Sequence, residues 1–246
     1  MPEVKLLVIP SHQAQDVLDE WNKEDNYYEI MDISVAGEVN KKARKYPYVS
    51  SSEIEAERFF MQTKVPIQSP LRIVYLDPRS DSGLPHTRGL SGIALPLNLK
   101  FYPSKKTLDH EIVHLSQKQY SARWWAWYAK HWRLRLAMRE EYMRIPERWR
   151  QTRRLNPDTL RCHYVVWKDR YIPLTVFSNV YSPKLTQCKR GFWDLWLTQW
   201  TWEPPSGWVE TFGAGFNDEH PHEIAAHWLD GSAGKKRQDF FDLNPV

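Results

Sequence analysis

His110 and His114 stand four residues apart, with Glu111 directly after the first, in Thr107-Leu108-Asp109-His110-Glu111-Ile112-Val113-His114-Leu115. On an α-helix, residues four apart lie one above the other on the same face. Two neutral imidazoles so placed can bind one Zn²⁺, and the carboxylate beside them can reach a water on the metal. Each residue type has a task in that chemistry: the nitrogens hold the ion and leave a position open, and the carboxylate takes the water's proton. Leu108, Ile112, Val113 and Leu115 are apolar while Asp109, Gln117 and Lys118 are polar, the pattern of a half-buried helix. A chance His-Glu-x-x-His has odds of roughly two in a hundred in a chain of this composition, so the motif is informative.

Such a site needs a third protein ligand. The richest segment is Asn217-Asp218-Glu219-His220-Pro221-His222-Glu223-Ile224-Ala225-Ala226-His227-Trp228. Asp218 or Glu219 followed by Pro221 reads as a helix start. Glu223 and His227 share a face of that helix, so one can bind metal while the other contacts its surroundings or substrate. A carboxylate on a second helix would complete a two-His, one-Glu site with an open fourth position. Ala225 and Ala226 would let the two helices approach closely. His222, His227, His220 and Asp230 are rival ligands.

The elements that must position these residues can be read in chain order. Val4–Ile9 is a strand ended by Pro10, and Ser11 to about Asn22 is a helix with Ala14, Val17, Leu18 and Trp21 at helical spacing. Tyr27 to Val35 is expected as a strand, and Lys41 to Lys45 as a solvated basic turn. The serines before Glu53 start a helix that buries Ile54, Phe59, Phe60 and Met61. Leu71–Leu76 is a strand stopped by Asp77-Pro78, Asp81 to Gly89 is a polar loop, and Ile93 to Phe101 is an edge strand because of Pro96. A sheet edge ahead of the metal helix would offer substrate backbones a place to pair.

From Lys118 to Arg161 the chain carries 12 Lys/Arg against four acids, with Trp124, Trp125, Trp127 and Trp132 interleaved. Ser121 to Arg139 and Arg144 to Leu155 read as helices. Basic residues among aromatics would suit a nucleic-acid surface. The competing and preferred expectation is an amphipathic helix whose Trp face is core. Tyr164–Trp167 and Tyr171–Phe177 form a hairpin turning at Lys168-Asp169-Arg170, and Asn156-Pro157-Asp158 is read as a turn rather than as part of the site.

At 246 residues the chain can bury a substantial core, and 41% hydrophobic with 26% charged residues is ordinary for a globular protein. Its 13 Trp and 12 Tyr are not ordinary, while a net charge of +4 is too mild to argue for nucleic acid by itself. Two cysteines, Cys162 and Cys188, without a Cys-x-x-Cys, indicate reduced thiols rather than a disulfide scaffold or a cysteine zinc site. Neither a signal peptide nor a membrane-spanning run is legible, so a cytoplasmic or virion-associated protein is expected.

His110-Glu-x-x-His114-x-x-Gln117 with a distant Pro221-x-Glu223-x-x-Ala226 resembles the gluzincin metallopeptidases. Leu84-Pro-His-Thr-Arg88, the lead-in Thr107-Leu-x-His110 and Arg154-x-Asn156-Pro157-Asp158 further resemble His-Glu-x-x-His proteins of large DNA viruses, over much of the stretch from Leu84 to Ala226. Gln117 and Tyr120 stand where a metzincin would carry Gly and His, so that subclass is out. The resemblance implies His110, His114 and Glu223 as zinc ligands, Glu111 as general base and peptides or proteins as substrates. It departs in spacing, since over a hundred residues separate His114 from Glu223.

The implied fold is α+β and zincin-like: a small mixed sheet with an edge strand on the metal helix, plus a helical Trp/Arg-rich insertion. A single domain spanning 1–246 would then comprise an α/β part (1–118), a helical and hairpin insertion (119–189) and a helical part with the third ligand (190–246). Hydrolysis needs an oxyanion donor besides the metal; Tyr181, His86, Arg88 and His227 are candidates, and nothing in the sequence chooses among them. The alternative is a nucleic-acid-associated or virion structural protein on the same scaffold, using the basic 118–161 segment.

Overall fold

The computed structural model of the protein describes residues 3–32, 35–45, 48–99, 104–160, 162, 164–213 and 219–231. Strand β1 (Glu3–Val8) buries Val4, Leu6 and Val8 and turns the alternate residues outward. Helix α1 (Ser11–Asp25) follows as expected, with Ala14, Leu18 and Trp21 on its buried face. The next stretches depart from expectation. The described residues of Tyr27 to Val35 belong to α2 (Tyr27–Asp32) and the start of α3 (Val35–Arg44), not to a strand. Tyr27 is drawn inward by its hydroxyl, which donates to buried Asp81, a tertiary contact that overrides the aromatic preference for strands. Lys41 to Arg44 form the last turn of α3 rather than a solvated turn, and Arg44 is buried with its Nε donating to the Leu155 carbonyl.

The expected helix after Ser50 is instead β2 (Glu57–Gln62), paired antiparallel with β1. Phe59 and Met61 are half-buried and Phe60 is exposed, a period of two that the unbroken apolar triplet conceals. β3 (Leu71–Leu76) lies where expected. Within the expected polar loop, residues His86–Arg88 form β4, and β5 (Gly92–Pro96) is shorter than the predicted strand, whose last residues lie outside the described ones. The sheet order is β2-β1-β3-β5-β4, with β1, β3 and β5 parallel and the outer two antiparallel. β5 is therefore interior and β4 is the edge. Pro96 is tolerated because it ends β5 rather than interrupting it.

Helix α4 (Lys105–Gln119) carries the His-Glu-x-x-His motif and is capped by Ser104, whose Oγ accepts from Thr107 N at 3.1 Å. Helix α5 (Ser121–Trp132) ends earlier than expected because Arg133 is left-handed at φ 53°, and β6 (Leu134–Leu136) follows. A single-turn piece, α6 (Arg139–Met143), comes next, and of the helix expected from Arg144 to Leu155 only the single turn α7 (Glu147–Gln151) is helical. β7 (Val165–Trp167) and β8 (Tyr171–Phe177) form the expected hairpin, joined by Lys168 to Arg170, with Lys168 and Asp169 at φ 50° and 54°, the positive signs of a primed β-turn. β9 (Cys188–Asp194) and β10 (Gln199–Thr201) complete a second, wholly antiparallel sheet of order β10-β9-β8-β7-β6.

That sheet corrects the expected layout. β9 crosses the 189/190 boundary, so 119–189 is not a separable insertion, and the part from 190 on is not purely helical. Helices α8 (Trp208–Phe212) and α9 (Pro221–Asp230) follow, and α9 packs along α4 with Ala225 and Ala226 fully buried. One continuous core joins Leu6, Ile73 and Ile93 of the first sheet, Ile112 of α4, Trp167 and Phe192 of the second sheet, and Ile224 of α9. Trp124, Trp127 and Trp132 point into it, and Trp125 packs against it half-buried. Among the described residues, no helix is long and apolar enough to cross a membrane.

Candidate metal centre

α4 and α9 bring the three expected ligands together. His110 Nε2 and His114 Nε2 are 3.1 Å apart, and Glu223 places Oε2 3.6 Å from the first and Oε1 3.5 Å from the second. Tetrahedral zinc with ligand bonds of about 2.0–2.2 Å has ligand–ligand edges of about 3.3–3.6 Å. The triangle therefore has the size a zinc ion needs. Glu223 lies in the first turn of α9, after the His220 cap and Pro221, where the helix dipole favours a carboxylate.

The outer faces of both imidazoles are fixed. His110 Nδ1 lies 2.9 Å from Asp230 Oδ2, an atom that can only accept, so Nδ1 carries the hydrogen. His114 Nδ1 lies 2.8 Å from Gln117 Oε1. Gln117 is oriented in turn, since its Nε2 donates to the His222 carbonyl at 3.0 Å and to Tyr128 Oη at 3.1 Å. Both Nε2 atoms are thus left with lone pairs that face each other and a carboxylate. Three such groups can converge only around a cation or a proton. Without metal, that proton sits on His110. Burial opposes its charge, but the hydrogen bonds it donates to the carboxylates of Asp230 and Glu223 outweigh the cost and push the imidazole up to about 11. Burial likewise disfavours charge on Glu223, yet His114 and His110 hold its carboxyl well below the usual range.

Glu111 is buried, and its Oε2 has no hydrogen-bond partner among the described residues. Burial, reinforced by the nearby charge of Asp158, raises its pKa well above the ordinary carboxyl value. It lines a cleft of about 540 Å³ together with His86, Arg154, Asn156, Asp158 and His227. His110 and Glu223 line the same cleft.

The other expected participants divide. His227 lies beside the centre, its ring centroid 4.8 Å from that of His110. His86 lines the cleft, with Nδ1 on the Leu84 carbonyl and Nε2 3.5 Å from Asp81 Oδ2. Arg88 is not a cleft residue: it is buried and forked onto Asp25, at 2.8 and 3.1 Å. Tyr181 is 93% exposed and does not line the cleft. Among the rival ligands, Asp230 orients His110 rather than joining the triangle. His220 accepts from His222 N and reaches the Cys162 carbonyl, which engages both its nitrogens. His222 packs against Trp125 and Tyr128 with Cys162 Sγ 3.7 Å from its Nδ1. Cys162, His220 and His222 form a second group of possible metal-ligating atoms, in which burial pushes the Cys162 thiol up to about 12. Both cysteines are free thiols, as expected.

Asn156-Pro157-Asp158 was expected to be only a turn. It is a turn, but its side chains reach the site. Asn156 Nδ2 donates to Glu223 Oε1, and Asp158 offers a carboxylate within 4.8 Å of the ligand atoms of His114 and Glu223. No local signal in a polar turn tells where it folds back, so this contribution was not legible from spacing. Gln117 could have been found, because it sits three residues beyond His114 on the same face.

Comparison of the chain with family models, with curated proteins and with solved structures found no match.

Proposed function

We propose that this protein is a zinc-dependent metallopeptidase of zincin-like organisation. The observation that carries the reading is the triangle of His110 Nε2, His114 Nε2 and Glu223 at 3.1–3.6 Å, beside the buried, half-unpartnered carboxylate of Glu111. Zinc, when bound, supplies a Lewis acid that activates water and polarises a scissile carbonyl. Glu111 is the general base: it takes the water's proton and hands it to the leaving amine. Asp230 and Gln117 fix the tautomers of His110 and His114, and Asn156 holds Glu223, so the ligands are preorganised. Of the four candidate oxyanion donors, His86 and His227 are the ones that line the cleft. The edge strand beside the metal helix and a glutamate ligand on a later helix further support the assignment.

The test is zinc content by elemental mass spectrometry, paired with cleavage of a mixed peptide library. Wild type and Glu111→Gln are expected to bind about one zinc per chain, His110→Ala none, and Glu111→Gln to lose about 100-fold or more in rate. Wild-type protein that takes up no zinc, or Glu111→Gln that cleaves at the wild-type rate, would overturn the reading.

A further inference from the structure

Among the described residues β4 pairs with β5 on one side only, and a free sheet edge ordinarily accepts an extended polypeptide through main-chain hydrogen bonds. Here the outward peptide groups are already engaged. Thr87 N donates to Asp158 Oδ1 at 2.8 Å, Thr87 Oγ1 donates to the same oxygen, and Lys118 Nζ donates to the Thr87 carbonyl at 3.1 Å. Two side chains thus supply what a neighbouring strand would supply, one acceptor for the N–H and one donor for the C=O. Both come from segments that build the metal centre. Lys118 lies one turn beyond His114 on α4, and Asp158 belongs to the turn whose Asn156 holds Glu223. Lys118 Nζ and Asp158 Oδ1 are 4.0 Å apart, and Asp158 is buried.

We propose that Asp158 and Lys118 form a latch over β4, which an extended polypeptide must displace to lie along the edge and enter the metal cleft. This rests on the peptidase reading above. The exchange conserves hydrogen bonds: a substrate carbonyl accepts from Thr87 N, a substrate N–H donates to Thr87 O, and the released Lys118 and Asp158 close on each other as an ion pair. A strand-forming main chain presents both groups at the required spacing. A small chelator that needs only the metal leaves the latch shut. The latch therefore makes the site selective for extended polypeptide and weakens binding relative to an open edge.

The test uses the zinc-loaded full chain and two probes, acetohydroxamate, which addresses the metal alone, and a trialanine hydroxamate, which also brings a backbone. In Lys118→Met the trialanine hydroxamate is expected to bind about tenfold tighter, the worth of about one hydrogen bond no longer displaced, with acetohydroxamate unchanged. In wild type, the Thr87 amide resonance should shift during titration with the peptide probe and stay still with acetohydroxamate. Equal or weaker peptide binding in Lys118→Met, or a Thr87 resonance that ignores the peptide, would show a permanent edge cap and overturn the proposal. Asp158→Ala, where circular dichroism shows it folded, should repeat the gain; if it does not fold, Lys118→Met decides. Wild type that binds neither zinc nor acetohydroxamate would end the peptidase reading, and the latch with it.

Discussion

Asn156 Nδ2 donates to Glu223 Oε1 at 2.7 Å, joining residues 67 positions apart in the chain. The same nitrogen donates to Glu219 Oε1 at 3.1 Å, and Asn156 Oδ1 accepts from Asp158 N at 3.1 Å, so the amide is held at both ends. A ligand carboxylate gripped in this way keeps its orientation before any metal arrives. Asn156→Ala should therefore weaken zinc affinity about 10- to 100-fold, the usual cost of losing a group that orients a ligand. Competition against a chromophoric chelator measures it. An unchanged affinity would mean that α9 alone holds Glu223 in place.

The proton on His110 gives the metal-free protein a defined pH response. Its pKa of about 11 lies above the ordinary 6.5, so the stability that this proton contributes is fully present below about pH 6.5 and is lost as pH rises through about 11. Glu111, also shifted upward, acts in the same direction. The thermal midpoint of the metal-free protein should fall between about pH 7 and about pH 10. Zinc affinity should rise over the same interval, because the metal replaces the His110 proton, with about one proton released per ion. Calorimetry in buffers of different ionisation enthalpy counts that proton, and a release of zero would contradict the assignment.

Arg88 is fully buried, forks onto Asp25 and lies over the rings of Tyr27 and Tyr28, with its guanidinium carbon 4.7 and 5.2 Å from their centroids. Arg88→Met leaves Asp25 without its buried partner and should cost about 3–5 kcal/mol in urea unfolding. Since Arg88 does not line the metal cleft, zinc affinity of the folded fraction should stay at the wild-type value. A selective loss of activity with stability intact would return Arg88 to the catalytic centre.

What was legible in the sequence is what local pattern can encode. The spacing of His110, Glu111 and His114 among apolar neighbours announced α4, and Pro221 ahead of Glu223 announced α9. Ala225 and Ala226 signalled their close packing. Beyond the β7–β8 hairpin, the rest of the second sheet was harder to read, because β6 and β10 have three residues each, too few to display alternation. β4 was hidden because all three of its residues are polar and yet buried. Arg88 and Tyr181 were plausible oxyanion donors by residue type alone. Only the fold shows that one is locked to Asp25 and the other stands in solvent. Asn156 and Asp158 were missed for the complementary reason, since a polar turn reads as solvated until its distant partners are known.

Two of the proposed metal ligands also bracket a topological unit. All five strands of the second sheet, β6 to β10, lie in the chain between His114 and Glu223. An ion held by both residues closes a loop of more than a hundred residues around that sheet. It then acts as a clasp as well as a reagent, lowering the chain entropy of the unfolded ensemble much as a long-range cross-link does. Strands that never touch the ion would thereby owe part of their persistence to it, and loss of metal would loosen the hairpins of the second sheet along with the catalytic cleft.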